Sequence, residues 1–326
     1  MSAEMETMFY YGATPWHKLG TPVEKALTAE EAITAAGLDW GVEVISLFHN
    51  WKGTRVKIDN KAGIRRDIDG RILGVASPQY QPVQNREAFR FFDDVVGTGE
   101  AKYETAGSLR NGQKIWMQAK LTDSMNIQGD QVDKYLLLLN GHDGTVALKM
   151  FFTPIRVVCM NTLSAAEASA KRVETFYAKH MGNIGNRMEH AREIIGMSNQ
   201  FYTKFAEQAN VLALKQLPAA DFPKLLAAAF GTTGAIRAED VVNMNDLGSA
   251  RRVGEMEKVQ ALFEGEGKGL GGKIAGTKWS AYNAIVEHID YQKQFRGESP
   301  EDNRLEYVWL KSPMVKQRAW NYLMKS

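Results

Sequence analysis

The stretch from Tyr135 to Ala166 constrains the fold of this chain more than any other part of the sequence. Two apolar runs, Tyr135–Leu139 and Val146–Cys159, are separated there by the turn-forming residues Asn140–Gly144. Two β-prone runs joined by a short Gly/Asn/Asp cluster are typical of a β-hairpin. After the second run the composition changes to Ala, Glu and Lys, which favour helix. We therefore expect a hairpin that continues into a helix.

The residues before this hairpin predict the same kind of architecture. Thr28 and Glu31 have the spacing of a capping box, and Asn111–Gly112 favours a tight hairpin turn. The predicted elements are a helix through Ala36, strands from Leu38, around Thr54–Ile58 and at Ile72–Val75, an amphipathic helix at Asn85–Val95, and paired strands at Tyr103–Ala106 and Lys114–Leu121. This order predicts an α+β fold rather than alternating βαβ units, with a central antiparallel sheet backed by helices and followed by a mainly helical part.

Length and turn residues suggest more than one region. At 326 residues, 44% of them hydrophobic, the chain is long for one domain. Pro218 and Pro223 mark a boundary after a long helical stretch that begins at Ser164. We expect an N-terminal arm at 1–22, an α+β core at 23–214 and a mainly helical C-terminal region at 215–326.

Composition excludes several classes of protein. The single cysteine, Cys159, rules out an intramolecular disulfide and a multi-cysteine zinc site, and its apolar surroundings favour a small buried side chain. No apolar run approaches the length of a membrane span, and the first residues lack the pattern of a secretion signal. A cytoplasmic location is therefore expected. The net charge of +2 is uninformative, because local patches matter more than totals.

Positive charge is concentrated in two stretches. Between Lys52 and Arg71 seven basic residues face three acids, and turns are expected at Asp59–Gly63 and Asp69–Gly70. A basic β-ribbon presents cations to a phosphate backbone, although the outer face of an ordinary sheet has a similar composition. A second stretch follows the central hairpin. The candidate DNA-binding residues are Arg55, Lys57, Arg65, Arg66, Lys149, Arg156, Arg172, Lys268 and Lys273.

Two other motifs have features of a site. The loop Gly265–Lys273 places lysines among glycines, but it lacks the Ser or Thr that follows the lysine of a Walker loop, so a mobile loop or a backbone contact to DNA is favoured. His142–Asp143 has the chemistry of a general base or a metal ligand, but the glycine beside it favours a turn. We expect no catalytic residue, no metal and no cofactor.

Four segments resemble a known family. They are PWHKLG at 15–20, GRILGVASPQYQPVQNREAFRFFD at 70–93, LLLLNGHDGTVALKMFFTPIRVVCMNTLSAA at 136–166 and GTKWSAYNAIVEHIDY at 276–291. In matching order over nearly the whole chain, they look like the phage/plasmid-like protein family, a domain of unknown function carried on phages, prophages and plasmids. The turn residues Asn140, His142, Asp143 and Gly144, followed by Arg156 to Leu163, carry the most specific part of the resemblance.

The resemblance implies a mobile-element setting and no known enzyme activity. The α+β order is also similar to that of phage single-strand annealing proteins, by fold-level analogy. We therefore expect a non-enzymatic protein that binds single-stranded DNA in annealing or recombination and forms a homo-oligomeric ring or filament. Two alternatives stay open: a protein-interaction factor of a mobile element, for example in anti-defence, and an enzyme using His142 and Asp143.

Overall fold

The computed structural model describes residues 7–12, 20–97, 99–144, 149–156, 187–232, 236–295, 303–304 and 307–326. The strands are β1 (Met8–Tyr11), β2 (Thr21–Val23), β3 (Val42–Trp51), β4 (Thr54–Arg66), β5 (Ile72–Ala76), β6 (Ala101–Leu109), β7 (Lys114–Ile127), β8 (Asp130–Gly141) and β9 (Lys149–Arg156). The α-helices are α1 (Ala29–Ala35), α2 (Asn85–Val96), α3 (Arg187–Leu214), α4 (Phe222–Phe230), α5 (Ala250–Ala261), α6 (Lys278–Glu287) and α7 (Pro313–Lys325). The predicted α+β class is confirmed.

The larger sheet has six strands in the order β2-β1-β6-β7-β8-β9. β8 lies between β7 and β9, and its antiparallel pairing with β9 confirms the predicted central hairpin. The hairpin between β6 and β7 is also confirmed, and its turn residues Arg110, Asn111 and Gly112 all have positive φ. β1 and the start of β2 fall within the predicted N-terminal arm, where no strand was expected; β1 pairs with β6.

Helices cover one face of this sheet. α1, α2 and α3 pack on one another and on β6, β7 and β9. The predicted capping box is present at the start of α1, with Thr28 and Glu31 exchanging side-chain to main-chain hydrogen bonds. A single apolar cluster runs from Phe9 to Leu323, so the C-terminal helices share their core with the sheet. Within it, Trp279 Nε1 of α6 donates a hydrogen bond of 2.8 Å to Asp130 Oδ2 of β8.

The smaller sheet has three antiparallel strands in the order β3-β4-β5. β3 and β4 form a long hairpin whose two-residue turn is Lys52–Gly53, with φ of 47° and 81°. The turn predicted at Asp59–Gly63 is wrong. β4 continues through it, because the residues at 59–61 form a bulge and pairing resumes where Ala62 meets Ser46. A turn at 67–70 does join β4 to β5, as predicted.

The C-terminal part is mainly helical, as expected. α4 to α7 are separated by short 3-10 and π-helical turns, including π turns at Leu262–Glu266, His288–Gln292 and Tyr307–Lys311. Within the described part of the chain, no helix combines the length and apolar character needed to cross a membrane.

Candidate nucleic-acid interface

The β3–β4 hairpin extends beyond the body of the protein at its turn end. From Phe48 to Lys57 every residue is exposed, on both strands and on both faces of the ribbon. We call residues 47–58 the hairpin tip. Large apolar side chains are unusual in such a position, yet Phe48 is 42% exposed and Trp51 is 61% exposed. An exposed aromatic pair of this kind points to a binding surface.

Strand register separates the tip into two faces. Directly opposed residues of an antiparallel pair share a face, and Phe48 lies opposite Lys57 while Asn50 lies opposite Arg55. These four residues form what we call the cationic face. The other face carries Leu47 opposite Ile58, His49 opposite Val56 and Trp51 opposite Thr54, with no charged side chain among them.

Cations lie against both exposed aromatic rings. The guanidinium carbon of Arg55 is 3.9 Å from the centre of the Phe48 ring, and Lys52 Nζ is 5.5 Å from that of Trp51. A cation over an aromatic face is a favourable contact, so these pairs hold their side chains in place at the surface. The hairpin tip thus offers flat apolar rings for stacking and positive groups for phosphate, with Phe48 and Arg55 on the cationic face and Trp51, contacted by Lys52, on the other.

The charge of the tip has one sign. Between Val44 and Ile58 the sequence contains Lys52, Arg55 and Lys57 and no Asp or Glu. Since opposite charges within a few ångströms would neutralise these cations, the absence of acids between Val44 and Ile58 leaves a positive local field at the tip. Arg55 and Lys57, both predicted from the sequence, are therefore placed where a polyanion has access to them.

Arg65 and Arg66, at the other end of β4, differ from this pattern. Arg65 Nη2 lies 2.6 Å from Glu43 Oε2, and its side chain is 43% exposed. Arg66 is buried, and the expectation that it is exposed on a basic ribbon is wrong. Its guanidinium donates two hydrogen bonds to Asp69, from Nε (3.0 Å) and Nη2 (2.5 Å). It also lies 5.3 Å from the centre of the Trp40 ring, so Arg66 anchors the β4–β5 turn to the body.

The remaining candidate cations lie on other elements of the fold. Lys149 and Arg156 lie on β9, opposite Leu139 and Val132, but their side chains are outside the described residues, as is the whole of Arg172. Lys268 and Lys273 are exposed in the glycine-rich loop, with Lys268 Nζ 6.0 Å from the centre of the Tyr291 ring. The strand that holds Lys149 and Arg156 and the loop that holds Lys268 and Lys273 are thus different elements from the β3–β4 hairpin.

The glycine-rich loop is more firmly packed than its composition suggests. Leu270, in its middle, is buried in the main core. The main-chain N–H of Lys268 donates to the carboxylate of Glu287, at 3.3 Å to Oε1 and 3.0 Å to Oε2. A carboxylate of the protein itself thus takes the kind of position that a phosphate occupies in a nucleotide-binding loop, which disfavours nucleotide binding here.

His142 follows β8 and is completely buried. Its Nε2 atom lies 2.8 Å from Asn85 Oδ1, and the amide of Asn85 donates to the main-chain oxygens of Leu38 and Trp40. The Trp40 ring packs edge-on against the imidazole, with ring centres 5.3 Å apart. Burial lowers the pKa of His142 to about 4, although Asp143 opposes the shift. The imidazole is therefore neutral at pH 7, and its contacts are those of a residue that supports the fold.

Neighbouring residues of the same motif also make structural contacts. Asn140 Nδ2 donates to the main-chain oxygen of Val83 (3.0 Å), and the Tyr80 hydroxyl donates to that of Gly141 (3.1 Å). We call Asn85, Asn140 and His142 the His142 junction, because together they join the end of β8 to the segment that leads into α2. Buried polar groups that are mutually hydrogen-bonded fix one arrangement of the elements they join.

Two glycines bring β5 against this junction. A Cβ atom at Gly74 would lie 2.4 Å from the Cα of Asp143, so only glycine allows the two backbones to approach this closely. Gly144 has a φ of 77°, a left-handed conformation that favours glycine at this position. The residues that carry the family resemblance therefore position the smaller sheet on the larger one.

Other features of the molecule are less suited to a site. A cleft of about 390 Å³ lies between α1 and α2, lined by Thr28, Ala29, Glu30, Ile33, Arg86, Phe89, Arg90 and Asp93. Its charges are mixed, with Arg86 already paired to Asp39 at 2.5 Å. Among the described residues no cluster of three or more His, Cys, Asp or Glu side chains is arranged to hold a metal ion.

The fold and this surface define an α+β protein with an exposed cationic hairpin. The chain belongs to the family described as a domain of unknown function (DUF932), whose profile matches residues 72–309, more than half of the chain. The β3–β4 hairpin precedes the matched range. No curated protein and no solved structure was found to match the chain.

Sequence reasoning did not identify Phe48 as a surface residue, and it did not predict the contact between Lys52 and the Trp51 ring. An alternating pattern assigns half of the residues of a strand to a buried face, so Phe48 reads as a core residue. The available signal was the absence of acids from Val44 to Ile58 around a Lys-Gly turn. That combination indicates a solvated cationic hairpin, in which the aromatic residues are exposed as well.

Proposed function

We propose that this chain is a non-enzymatic protein that binds single-stranded DNA through the hairpin tip. Lys52, Arg55 and Lys57 neutralise phosphates and release counterions, while Phe48 and Trp51 stack on bases. One observation carries the proposal: two exposed aromatic rings lie against cations in a hairpin tip whose sequence contains no acid.

The aromatic residues favour a single strand over a duplex. Stacking on a side chain requires an unpaired base, and alanine substitution of a stacking residue costs ~1–3 kcal/mol per base. Such stacking tolerates any base, because every base has a π-face. Binding without sequence preference is the behaviour required of a protein that anneals or recombines arbitrary strands.

The setting proposed for this activity is a phage or plasmid within the cytoplasm of its host cell. It rests on the resemblance of four segments to proteins of mobile elements, together with an α+β order similar to that of annealing proteins. The proposal includes a homo-oligomer, either a ring or a filament, because annealing brings two strands together along a surface longer than one tip. It includes no metal, no nucleotide and no catalytic residue.

A second candidate is a protein-interaction factor of a mobile element. It is favoured by apolar side chains on the outer face of the smaller sheet, where Ile72 is 44% exposed and Val75 is 49% exposed. An enzyme that uses His142 is disfavoured, because a completely buried imidazole that is hydrogen-bonded to Asn85 has no contact with solvent or substrate.

The test is a salt titration of oligonucleotide binding with the wild type and three variants. For Arg55→Ser with Lys57→Ser we expect weaker binding and a salt slope smaller by about 0.7 for each phosphate that is no longer neutralised. For Phe48→Leu with Trp51→Leu we expect weaker binding with the wild-type slope, since stacking releases no counterions. The matched control is Arg251→Ser with Lys258→Ser, which removes one Arg and one Lys from exposed positions on α5.

The outcomes separate the proposals. Loss of affinity in both tip variants, with the α5 control unchanged, supports DNA binding by the tip. Equal weakening in the control means that overall charge rather than the tip is responsible, which contradicts the proposed site. If the wild type does not bind a single strand even at low salt, the DNA proposal is wrong and the protein-interaction candidate replaces it.

A further inference from the structure

The outer edge of β3 is long and open. Within the described residues, β3 pairs with β4 on one side and with no strand on the other. It is ten residues long, and from Val44 to Trp51 it contains no charged residue and no proline. Natural proteins protect exposed edges with charges, prolines or short strands, and none of these devices is present here.

The main-chain groups of this edge are directed outward at alternate residues. Val42 shows the direction, because its N–H donates to Gln84 Oε1 (2.9 Å) and its C=O accepts from Gln84 Nε2 (3.0 Å), both on the side away from β4. At the other end of the strand, the residues that flank a two-residue turn, Trp51 and Thr54, form a hydrogen-bonded pair. The main-chain groups of Trp51 therefore point towards β4, and those of the residue before it point away. The N–H and C=O groups of Val44, Ser46, Phe48 and Asn50 therefore point away from β4.

Side chains on β3 are exposed to solvent, and a strand paired beside β3 would cover them. Val44 is 38% exposed although its opposite partner on β4, Ile64, is fully buried. The opposite edge of the hairpin tip, formed by β4, is different, because Arg55 and Lys57 lie on this strand at alternate positions. One edge of the hairpin is thus protected by charge and the other is suited to pairing.

We infer that two copies of this chain associate by antiparallel pairing of their β3 strands across a two-fold axis. β3 is compatible with this arrangement, because the residues between Glu43, which is paired with Arg65 of its own chain, and Lys52 are uncharged. Like charges opposite one another would disfavour the pair, and this stretch contains none. The contact is isologous and closes at two copies, so a ring or filament requires a second contact.

The pairing has a consequence for the surface described above. A two-fold axis perpendicular to the sheet places the same face of both copies on the same side. The cationic faces of the two tips, each with Arg55 and Lys57, then lie on the same side of a six-stranded sheet, at its opposite ends. The inference deepens the proposed homo-oligomer, but its test contains no DNA and does not depend on the outcome of the binding experiment.

The experiment measures the mass of the full chain in solution over a range of protein concentrations. The wild type is expected to show a concentration-dependent dimer. Ser46→Lys places a charge near the two-fold axis, where it meets its own counterpart, and is expected to weaken association about tenfold or more. The control Asn60→Lys adds the same charge at an exposed position on β4 and should dimerise as the wild type does.

Hydrogen exchange supplies a second measurement. In the dimer the amides of Val44, Ser46, Phe48 and Asn50 should be protected, and dilution should remove that protection in the wild type. A wild type that stays monomeric at every attainable concentration overturns the inference, as does a Ser46→Lys variant that dimerises normally. Protection that is independent of concentration overturns it too, because an intramolecular partner would then cover the edge.

Discussion

The hairpin tip and the His142 junction contain the same kinds of side chain in opposite environments. At the tip, Phe48 and Arg55 form an exposed aromatic–cation contact; beside the junction, Trp40 and Arg66 form a similar contact, but both are buried. At the junction, His142 Nε2 and the amides of Asn85 and Asn140 are hydrogen-bonded inside the protein, whereas the polar groups of the tip face solvent. Residue type therefore does not distinguish a scaffold from a binding surface in this chain, but burial does.

The largest expected effect is on the scaffold side of this comparison. Gly74→Ala should destabilise the protein by about 3 kcal/mol or more, because the new methyl group would meet backbone atoms of Asp143, which cannot move aside as the end of a flexible side chain can. Gly70→Ala is the control: its φ is 71° but nothing lies within 4 Å, so it should cost only about 1 kcal/mol of strain. Thermal unfolding of both variants checks this, and equal losses would contradict a steric cause.

Adjacent arginines provide a sharper test within one strand. Arg66→Ala removes a buried guanidinium from Asp69 and Trp40 and should cost about 2 kcal/mol or more. Arg65→Ala removes a half-exposed pair with Glu43 and should cost about 0.5 kcal/mol or less. The measurement is denaturant unfolding of the two single variants. Similar losses of unfolding free energy at both positions would mean that burial does not determine how much each arginine contributes to stability.

The lowered pKa of His142 makes the stability of the protein depend on pH. The folded pKa of about 4 is below the ordinary value of 6.5, so between these values the unfolded state binds more protons than the folded state. The stabilisation is fully present above pH 6.5 and is lost as pH falls towards 4, by at most about 3 kcal/mol. His142→Gln cannot titrate, so its unfolding free energy should fall less over this window. Identical pH profiles would contradict the buried neutral imidazole.

Sequence reasoning located most of the sheet but less of the surface. The hairpins at Asn111–Gly112 and around Asn140–Gly144 were predictable, because turn residues with positive φ leave a local signature. The bulge at 59–61 was not, since Asp59 and Asn60 have the composition of a turn and only the pairing partner on β3 shows that the strand continues. The burial of Arg66 also depends on residues distant in sequence, here Trp40.

The smallest expected effect on stability belongs to the tip, and it completes the comparison. Phe48→Leu and Trp51→Leu should change the unfolding free energy by no more than about 0.5 kcal/mol, because exposed side chains contribute little to the core. Trp40→Leu, the matched change at a buried tryptophan, should cost about 3 kcal/mol and remove the ring that contacts Arg66 and His142. The measurement is thermal unfolding of all three variants in the absence of nucleic acid, with DNA affinity measured on the same samples.

A tip variant that loses both stability and affinity would indicate that Phe48 and Trp51 support the fold. A tip variant that loses affinity alone is the result expected of residues retained for binding.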